Sequence, residues 1–348
     1  MWAYLNWALG LREAGCEVIW LEWIRRELSD VERERRLALL KQRLAPYGLS
    51  EAISLWYGGD DAGALELPGC LPLEDAWDAD LLLNLNYWTR ADVVNGFRRS
   101  VSIDIDPGLT QAWIAERILE LPRHDRYFSI GERLADVDGI SWEYTPPCVS
   151  TKQWKPSTSV PDAAFTTVAH WSGGWMGSAE GGYDNDKRSA FLPYLDLPTH
   201  VRVPLELMLY LAPEEQEERA LLERKGWRVR NAEEVAAPWD YQRYVAGSLG
   251  EFSCAKPSYV LGQTGWISDR TLCYLASGKP VIVQHTGPSR LLPAADGAWR
   301  FRTPAEAIQA LDEVAADYVQ QSRLARELAL EHFDARKVVS SVLERVLT

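Results

Sequence analysis

The sequence predicts an α/β protein built from two Rossmann-like, doubly wound domains that face a cleft. Three observations lead there. Apolar strand segments alternate with amphipathic helical segments at a spacing that suits parallel sheets covered on both faces. One stretch rich in Pro, Ser, Thr and Lys, residues 144–161, interrupts that alternation and reads as a linker between two halves. The 348 residues are enough for two domains of ordinary size, each burying its own core.

Residues 1–14 read as an amphipathic helix with Leu5, Ala8, Leu9 and Leu11 apolar, and Gly15 as its C-terminal stop. Residues 17–22 follow as a strand. Dense mixed charge over 29–43, with Leu37, Leu39, Leu40 and Leu44 in its second half, predicts a solvent-facing helix with one packed stripe. Residues 56–72 carry several Gly and two Pro and read as loop. Strands are expected at 80–86, 101–106 and 127–131, with a helix at 110–121. Beyond the linker, 165–170 is a strand ending at His170, followed by a Trp- and Gly-rich loop through Gly182. A helix at 187–194 and a strand at 201–211 come next. The helix at 213–225 has Pro213 in its first turn and Gly226 past its end, and leads to a strand at 227–229. Helices at 303–318, 322–330 and 335–346 close the chain.

The stretch from 248 to 287 carries the most information. Gln263-Thr264-Gly265-Trp266 is a loop, and Ser268 is an N-cap whose hydroxyl can accept from a free helix amide. A short helix at 269–277 places Leu272, Leu275 and Ala276 on one side. Gly278 ends it in a left-handed conformation, and Pro280 cannot continue it. Val281, Ile282 and Val283 form a strand buried on both faces, ended by a turn at Thr286-Gly287. Free amides and the helix dipole favour an anion at this helix start. Arg270 is a cation at the positive end of that dipole, a conflict that a bound phosphate would resolve. Arg270→Ala is therefore expected to weaken anion binding far more than folding. The alternative is an ordinary cap, with Arg270 facing water or paired with a carboxylate.

Glu251-Phe252-Ser253, Ala255-Lys256, Gly265-Trp266, Ser268-Asp269-Arg270, the run from Tyr274 through Gly278-Lys279-Pro280-Val281, and Thr286-Gly287 resemble the C-terminal donor half of GT-B glycosyltransferases. The likeness is closest to bacterial family 1-like sequences with a GWxSDR…YLASGxPV pattern. It implies an acceptor-side domain at 1–150, a nucleotide-sugar-binding domain at 162–333, and a C-terminal helix at 334–348 returning to the N-terminal domain. It implies transfer of a sugar from a nucleotide diphosphate-sugar to an unknown acceptor, without cofactor or metal. The donor-binding residues it implies are Glu251, Lys256, Gly265, Trp266, Ser268, Asp269, Arg270, Thr286 and Gly287. A GT-B N-terminal domain opens on a strand and a glycine-rich turn, whereas this chain opens on a helix. Either that first strand is missing from the sequence or the fold begins with a helix.

Glycosyl transfer also needs a base for the acceptor hydroxyl if it inverts. Asp106 stands at the carboxyl edge of a strand, although Asp before Pro107-Gly108 is also a natural cap. His170, at the end of the first strand of the second half, is the other candidate, and a packed, hydrogen-bonded histidine is its alternative reading. Lys256 can neutralise a phosphate oxygen or remain a surface lysine, and Glu251 can bind ribose hydroxyls or pair with a neighbour. Three DxD pairs occur, Asp78/Asp80, Asp104/Asp106 and Asp184/Asp186, as chance allows in an acidic chain. Two other functions fit the same pattern: a degenerate scaffold that binds sugar or nucleotide without turnover, and a nucleotide-sugar epimerase.

The net charge of −13 argues against nucleic acid as a partner, but leaves room for a local cationic pocket. Five cysteines without a CxxC pair favour reduced thiols, and five histidines show no metal-ligand spacing. No window reaches the length of a membrane span and the start lacks a cleavable signal, so a cytoplasmic location is expected. Sixteen Trp and fourteen Tyr must serve mostly in packing, but aromatic faces also line sugar clefts.

Overall fold

A computed structural model describes residues 1–58, 65, 67–178, 181–292 and 296–347. In the N-terminal half, β1 (Trp20–Arg25) and β2 (Ile53–Gly58) pair in parallel, Trp20 opposite Ile53. A separate parallel sheet follows in the order β3 (Leu82–Asn84), β4 (Ser100–Asp104), β5 (Arg126–Ser129) and β6 (Glu143–Tyr144). Every residue of β4 is buried, as a central strand covered on both faces requires.

The C-terminal half contains β7 (Phe165–His170), an antiparallel hairpin of β8 (Trp175–Ser178) and β9 (Gly181–Asp184), then β10 (Leu205–Tyr210), β11 (Arg228–Asn231), β12 (Gly250–Ser253), β13 (Val281–Gln284) and β14 (Ala298–Phe301). Six of these form one parallel sheet in the order β11-β10-β7-β12-β13-β14. Counted from β7 this is the doubly wound 3-2-1-4-5-6 order.

Several elements differ from expectation for identifiable reasons. The first strand starts at Trp20, where its amide meets the Ala52 carbonyl at 2.8 Å, so pairing with β2 sets its start. Residues 56–58 belong to β2 rather than to a loop, and 59–64 and 66 lie outside the described residues. The helix expected over 110–121 is Leu109–Ala115, because Arg117 adopts a left-handed φ of 57°. β10 begins after Pro204, which has no amide to give a ladder. The Trp- and Gly-rich loop is the β8–β9 hairpin.

The stretch at 144–161 is no solvated tether. Trp154 is fully buried, packs edge-on against Trp2 at 4.5 Å, and lies in a core that also holds Leu5, Leu9, Leu272 and Tyr274. That core joins the first helix (Trp2–Glu13) to the helix Asp269–Ala276 of the other half. The last helix (Ala335–Leu347) packs on the first, and they cross so closely at Gly10 that a Cβ there would lie 2.7 Å from the Ala335 carbonyl oxygen.

Candidate functional site

The order of the second sheet reverses at β7, which has β10 on one side and β12 on the other. Open α/β sheets bind ligands outside the carboxyl ends of their strands at such a switch point. Here β7 ends at His170 and β12 at Ser253, and a crevice beside them is lined by Lys187, Ser253, Trp266, Ser268, Arg270 and Arg300. The space free within it is about 20 Å³, room for about one water molecule, so a larger ligand would have to widen it.

Arg270 is held from three directions. Its Nε donates to Glu251 Oε1 at 2.7 Å, one terminal nitrogen to the Val168 carbonyl at 3.0 Å, and the other to Ser253 Oγ at 2.8 Å. It thus ties the helix to β7 and β12 together. Glu251 is fully buried, and its Oε2 has no hydrogen-bond partner among the described residues. Burial works against the Arg270 charge, but the adjoining Glu251 overrides it and keeps the guanidinium protonated. Of the two readings of Glu251, ribose contact or a pair with a neighbour, the geometry places it as the buried counter-ion of Arg270.

Lys187 is the second cation. It opens the helix Lys187–Phe191, capped by the Asp186 side chain, and its ammonium donates to the Cys254 carbonyl. Burial, then the neighbouring Arg270 charge, brings its pKa down to about 7. Arg300 enters from β14 and donates to the Gly287 carbonyl, with burial lowering its pKa. Lys256 is half-buried just before the helix Pro257–Gly262, and its ammonium makes no hydrogen bond or ion pair among the described residues.

Ser268 caps the helix, accepting from the Arg270 amide at 3.2 Å, and its residue faces the crevice. Asp269 does not line it. Burial raises the Asp269 pKa, Arg270 opposes this, and Asp106 across the seam adds to it. Gly265, Thr286 and Gly287 hold two loops together: the Gly265 amide donates to the Thr286 carbonyl at 3.0 Å, and Thr286 Oγ1 to the Trp266 carbonyl at 2.5 Å. A Cβ on Gly287 (φ 125°) would lie 2.3 Å from the Gln263 carbonyl oxygen, so only glycine allows this approach.

On the facing half, Asp104 is buried and accepts four donors: Thr110 Oγ1, Ser129 Oγ, Gln111 Nε2 and the Asp106 amide. Those bonds shape the loop that presents Asp106. Its side chain does not cap the next helix; only its carbonyl accepts from the Leu109 and Thr110 amides. Both carboxylate oxygens are taken by phenols, Oδ2 by Tyr87 at 2.8 Å and Oδ1 by Tyr259 of the other half. Tyr259 stacks flat on Trp266 at 3.9 Å, and Trp266 Nε1 donates to the Ile105 carbonyl at 3.2 Å. Close by, the Glu132 amide donates to the Thr264 carbonyl at 2.8 Å, and the Glu132 carboxylate accepts from Ser289 and Arg290. His170 is exposed, its ring 5.0 Å from that of Tyr210.

The DxD pairs are put to other uses. Asp80 pairs with Arg98, Asp104 is saturated, and Asp186 caps a helix. Among the described residues, no group of three or more His, Cys, Asp or Glu is placed to hold a metal ion.

Sequence reasoning missed Lys187 and Arg300. Lys187 carried a usable signal, since a cation in the first turn of a capped helix is the anomaly that singled out Arg270. Arg300 carried none, because it sits mid-strand in β14 without a motif.

Two Rossmann-like halves meeting across this seam define the GT-B fold. Solved structures similar to the chain bear this out. Sucrose-phosphate synthase from Thermosynechococcus elongatus matches at TM-score 0.56 and 11% identity, over 94% of this chain and 98% of that one. Anabaena HepE in complex with UDP-glucose matches at TM-score 0.56 and 11% identity, over 95% and 100%. A glycosyltransferase from Rickettsia africae matches at TM-score 0.50 and 8% identity, over 94% and 98%. At such identities the likeness is one of fold. No protein-family model and no curated protein matches the sequence.

Proposed function

We propose that the chain is a glycosyltransferase that binds a nucleotide diphosphate-sugar at the switch point of its second sheet. The observation that carries this is the convergence of Lys187, Arg270 and Arg300 with the Ser268 hydroxyl at the carboxyl edge of that sheet. Among the described residues only Arg270 has a carboxylate paired with it there, so the crevice is left with a surplus of positive charge. A departing diphosphate develops negative charge, and preorganised cations and helix amides are what stabilise it. In this reading Lys187 and Arg300 hold phosphate oxygens and Lys256 swings in from the rim. Arg270 adds the N–H groups it does not spend on Glu251, Val168 and Ser253. HepE, whose solved structures hold UDP, glucose or UDP-glucose on the same fold, supports a uridine or related donor. Because the chain's own cations supply the charge, we expect donor binding without added metal.

The acceptor is then approached from residues 1–150, the donor from 162–333, with 334–348 bracing the N-terminal side. His170 is the readier base, being exposed at the end of β7. Asp106 would first have to release one phenol. That engagement favours a second reading, a scaffold that binds the donor without turnover. The five free cysteines support a reducing, cytoplasmic setting.

Calorimetry with UDP and with deoxythymidine diphosphate, each with chelator and with magnesium, tests the donor site. Binding in chelator is the expected result; no binding of either nucleotide would remove the proposal. Hydrolysis of UDP-glucose without acceptor, abolished in His170→Ala, separates the enzyme from the silent scaffold.

A further inference from the structure

Between β7 and the helix that starts at Lys187, the chain inserts the β8–β9 hairpin, which pairs with none of the three parallel sheets. Its register sets Trp175 opposite Asp184, Met176 opposite Tyr183 and Gly177 opposite Gly182. Residues two apart share a face, so Trp175, Gly177, Gly182 and Asp184 lie on one side. The indole rests on the two glycines. A Cβ on Gly182 would come 2.1 Å from Trp175 Cζ2, and one on Gly177 2.9 Å from Cη2. Glycine on both strands thus leaves room for the ring at this position. Trp175 is still 59% exposed, so much of the indole meets solvent. The Asp184 carboxylate beside it is exposed and makes no hydrogen bond or ion pair among the described residues.

The hairpin is anchored at its base within the C-terminal half. The Asn185 amide donates to the Gly174 carbonyl at 2.6 Å, and Asn185 Oδ1 accepts from the Ser258 amide at 2.9 Å. Lys187 of the crevice lies two residues further on. On the opposite face, the Tyr183 phenol is pushed up by partial burial and by the carboxylate of Glu116, at the end of the helix Leu109–Ala115 in the N-terminal half.

We propose that the Trp175–Asp184 face of this hairpin binds a saccharide ring that bears no acidic group, and that this ring is the acceptor. Its being the acceptor rests on the donor site proposed above; the binding itself does not. A pyranoside presents one face of C–H groups, which stacks on an indole, while its edge hydroxyls donate to a carboxylate. An open indole with a free carboxylate at its side is complementary to that chemistry. The Asp184 carboxylate repels a uronic acid, a phosphate or an anionic bilayer, and a hairpin set between β7 and Lys187 stands beside the donor crevice, where an acceptor must enter.

Saturation-transfer NMR on the full chain tests this with methyl glucopyranoside, methyl glucosaminide, glucuronate and uridine as probes. The two methyl glycosides should take up saturation, strongest on the ring protons of one face, and glucuronate should not. Trp175→Ala, an exposed site that leaves the unfolding midpoint unchanged, should weaken glycoside binding roughly tenfold. Asp184→Asn should admit glucuronate. The proposal is overturned if neither glycoside binds, if Trp175→Ala leaves their binding intact, or if glucuronate binds the unaltered chain equally well. Trp175-dependent binding of uridine stronger than that of the glycosides, or Trp175-dependent adsorption to phosphatidylcholine vesicles, would also overturn it. A chain that fails to bind UDP but keeps Trp175-dependent glycoside binding loses the donor reading and retains the platform.

Discussion

Truncating Arg270 to alanine tests how this site is built. From sequence alone, the change is expected to weaken anion binding more than folding; the pairing of Arg270 with Glu251, the alternative reading, adds a folding cost. Arg270 makes one charged hydrogen bond to Glu251 and two to uncharged acceptors, Val168 and Ser253. Removing one member of a buried ion pair costs about 3–5 kcal/mol, chiefly because the survivor is left as an uncompensated charge. Glu251 is a severe case, with 0% exposure and an Oε2 that already lacks a partner. The Arg270 side chain is 13% exposed toward the crevice, so water can follow the cut and bring the loss toward the lower figure. At roughly 2–4 °C per kcal/mol for a unit of this size, even about 3 kcal/mol lowers the midpoint by roughly 6–12 °C. Urea unfolding followed by circular dichroism measures the loss, with UDP titrated against both proteins. Arg270→Met combined with Glu251→Leu should recover most of the stability, because neither charge is then stranded. A stability loss below about 1 kcal/mol in Arg270→Ala would refute the buried-pair account and return the guanidinium to a purely ligand-facing role.

Three further outcomes follow from the geometry. Lys187 titrates near 7 when folded against 10.5 when free, so between those values the unfolded chain holds the extra proton and stability rises with pH. The difference between wild type and Lys187→Met in pH-dependent urea unfolding should show that rise, at most about 1.4 kcal/mol per pH unit, and a flat difference would count against it. Tyr259→Phe removes a charge-assisted bond to Asp106, about 1.5–3 kcal/mol, and should speed amide exchange over 263–266; unchanged exchange would mean the seam does not depend on it. Gly10→Val should push the first and last helices apart and cost at least about 1–3 kcal/mol, with earlier proteolytic release of residues 335–347.

The strand at 281–283 was legible because Val281, Ile282 and Val283 form an unbroken apolar run, and those at 101–106 and 165–170 because apolar and β-branched residues recur along them. The helix Asp269–Ala276 was legible because Ser268 and Gly278 mark both its ends. The hairpin at Trp175 was not, since five glycines over 173–182 erase any strand propensity, and its pairing is visible only once the strands lie together. Composition also hid how the linker is held. Its Pro, Ser and Lys content suggests solvent, yet Trp154 inside it is a core residue, and composition averages such a residue away. At the site, sequence could nominate Arg270 but could not reveal that Glu251 is its buried partner, nineteen positions upstream and on a different element. Pairing at that separation is a property of the sheet and leaves no local pattern.

The same distinction explains why the candidate base and the candidate donor site cannot be treated separately. The loop that lines the crevice through Trp266 also carries the contacts to the facing half. Trp266 donates to the Ile105 carbonyl, one residue before Asp106, and stacks on the tyrosine that holds Asp106 Oδ1. Thr264, two residues before Trp266, accepts from Glu132, whose carboxylate grips Ser289 and Arg290 beyond the Thr286-Gly287 turn. A ligand wide enough to displace Trp266 must therefore disturb the Tyr259–Asp106 bond. That disturbance frees Asp106 Oδ1, while Oδ2 stays with Tyr87. On the function proposed above, the seam would couple donor occupancy to the availability of Asp106, with a strength set by one charge-assisted hydrogen bond and one aromatic stack.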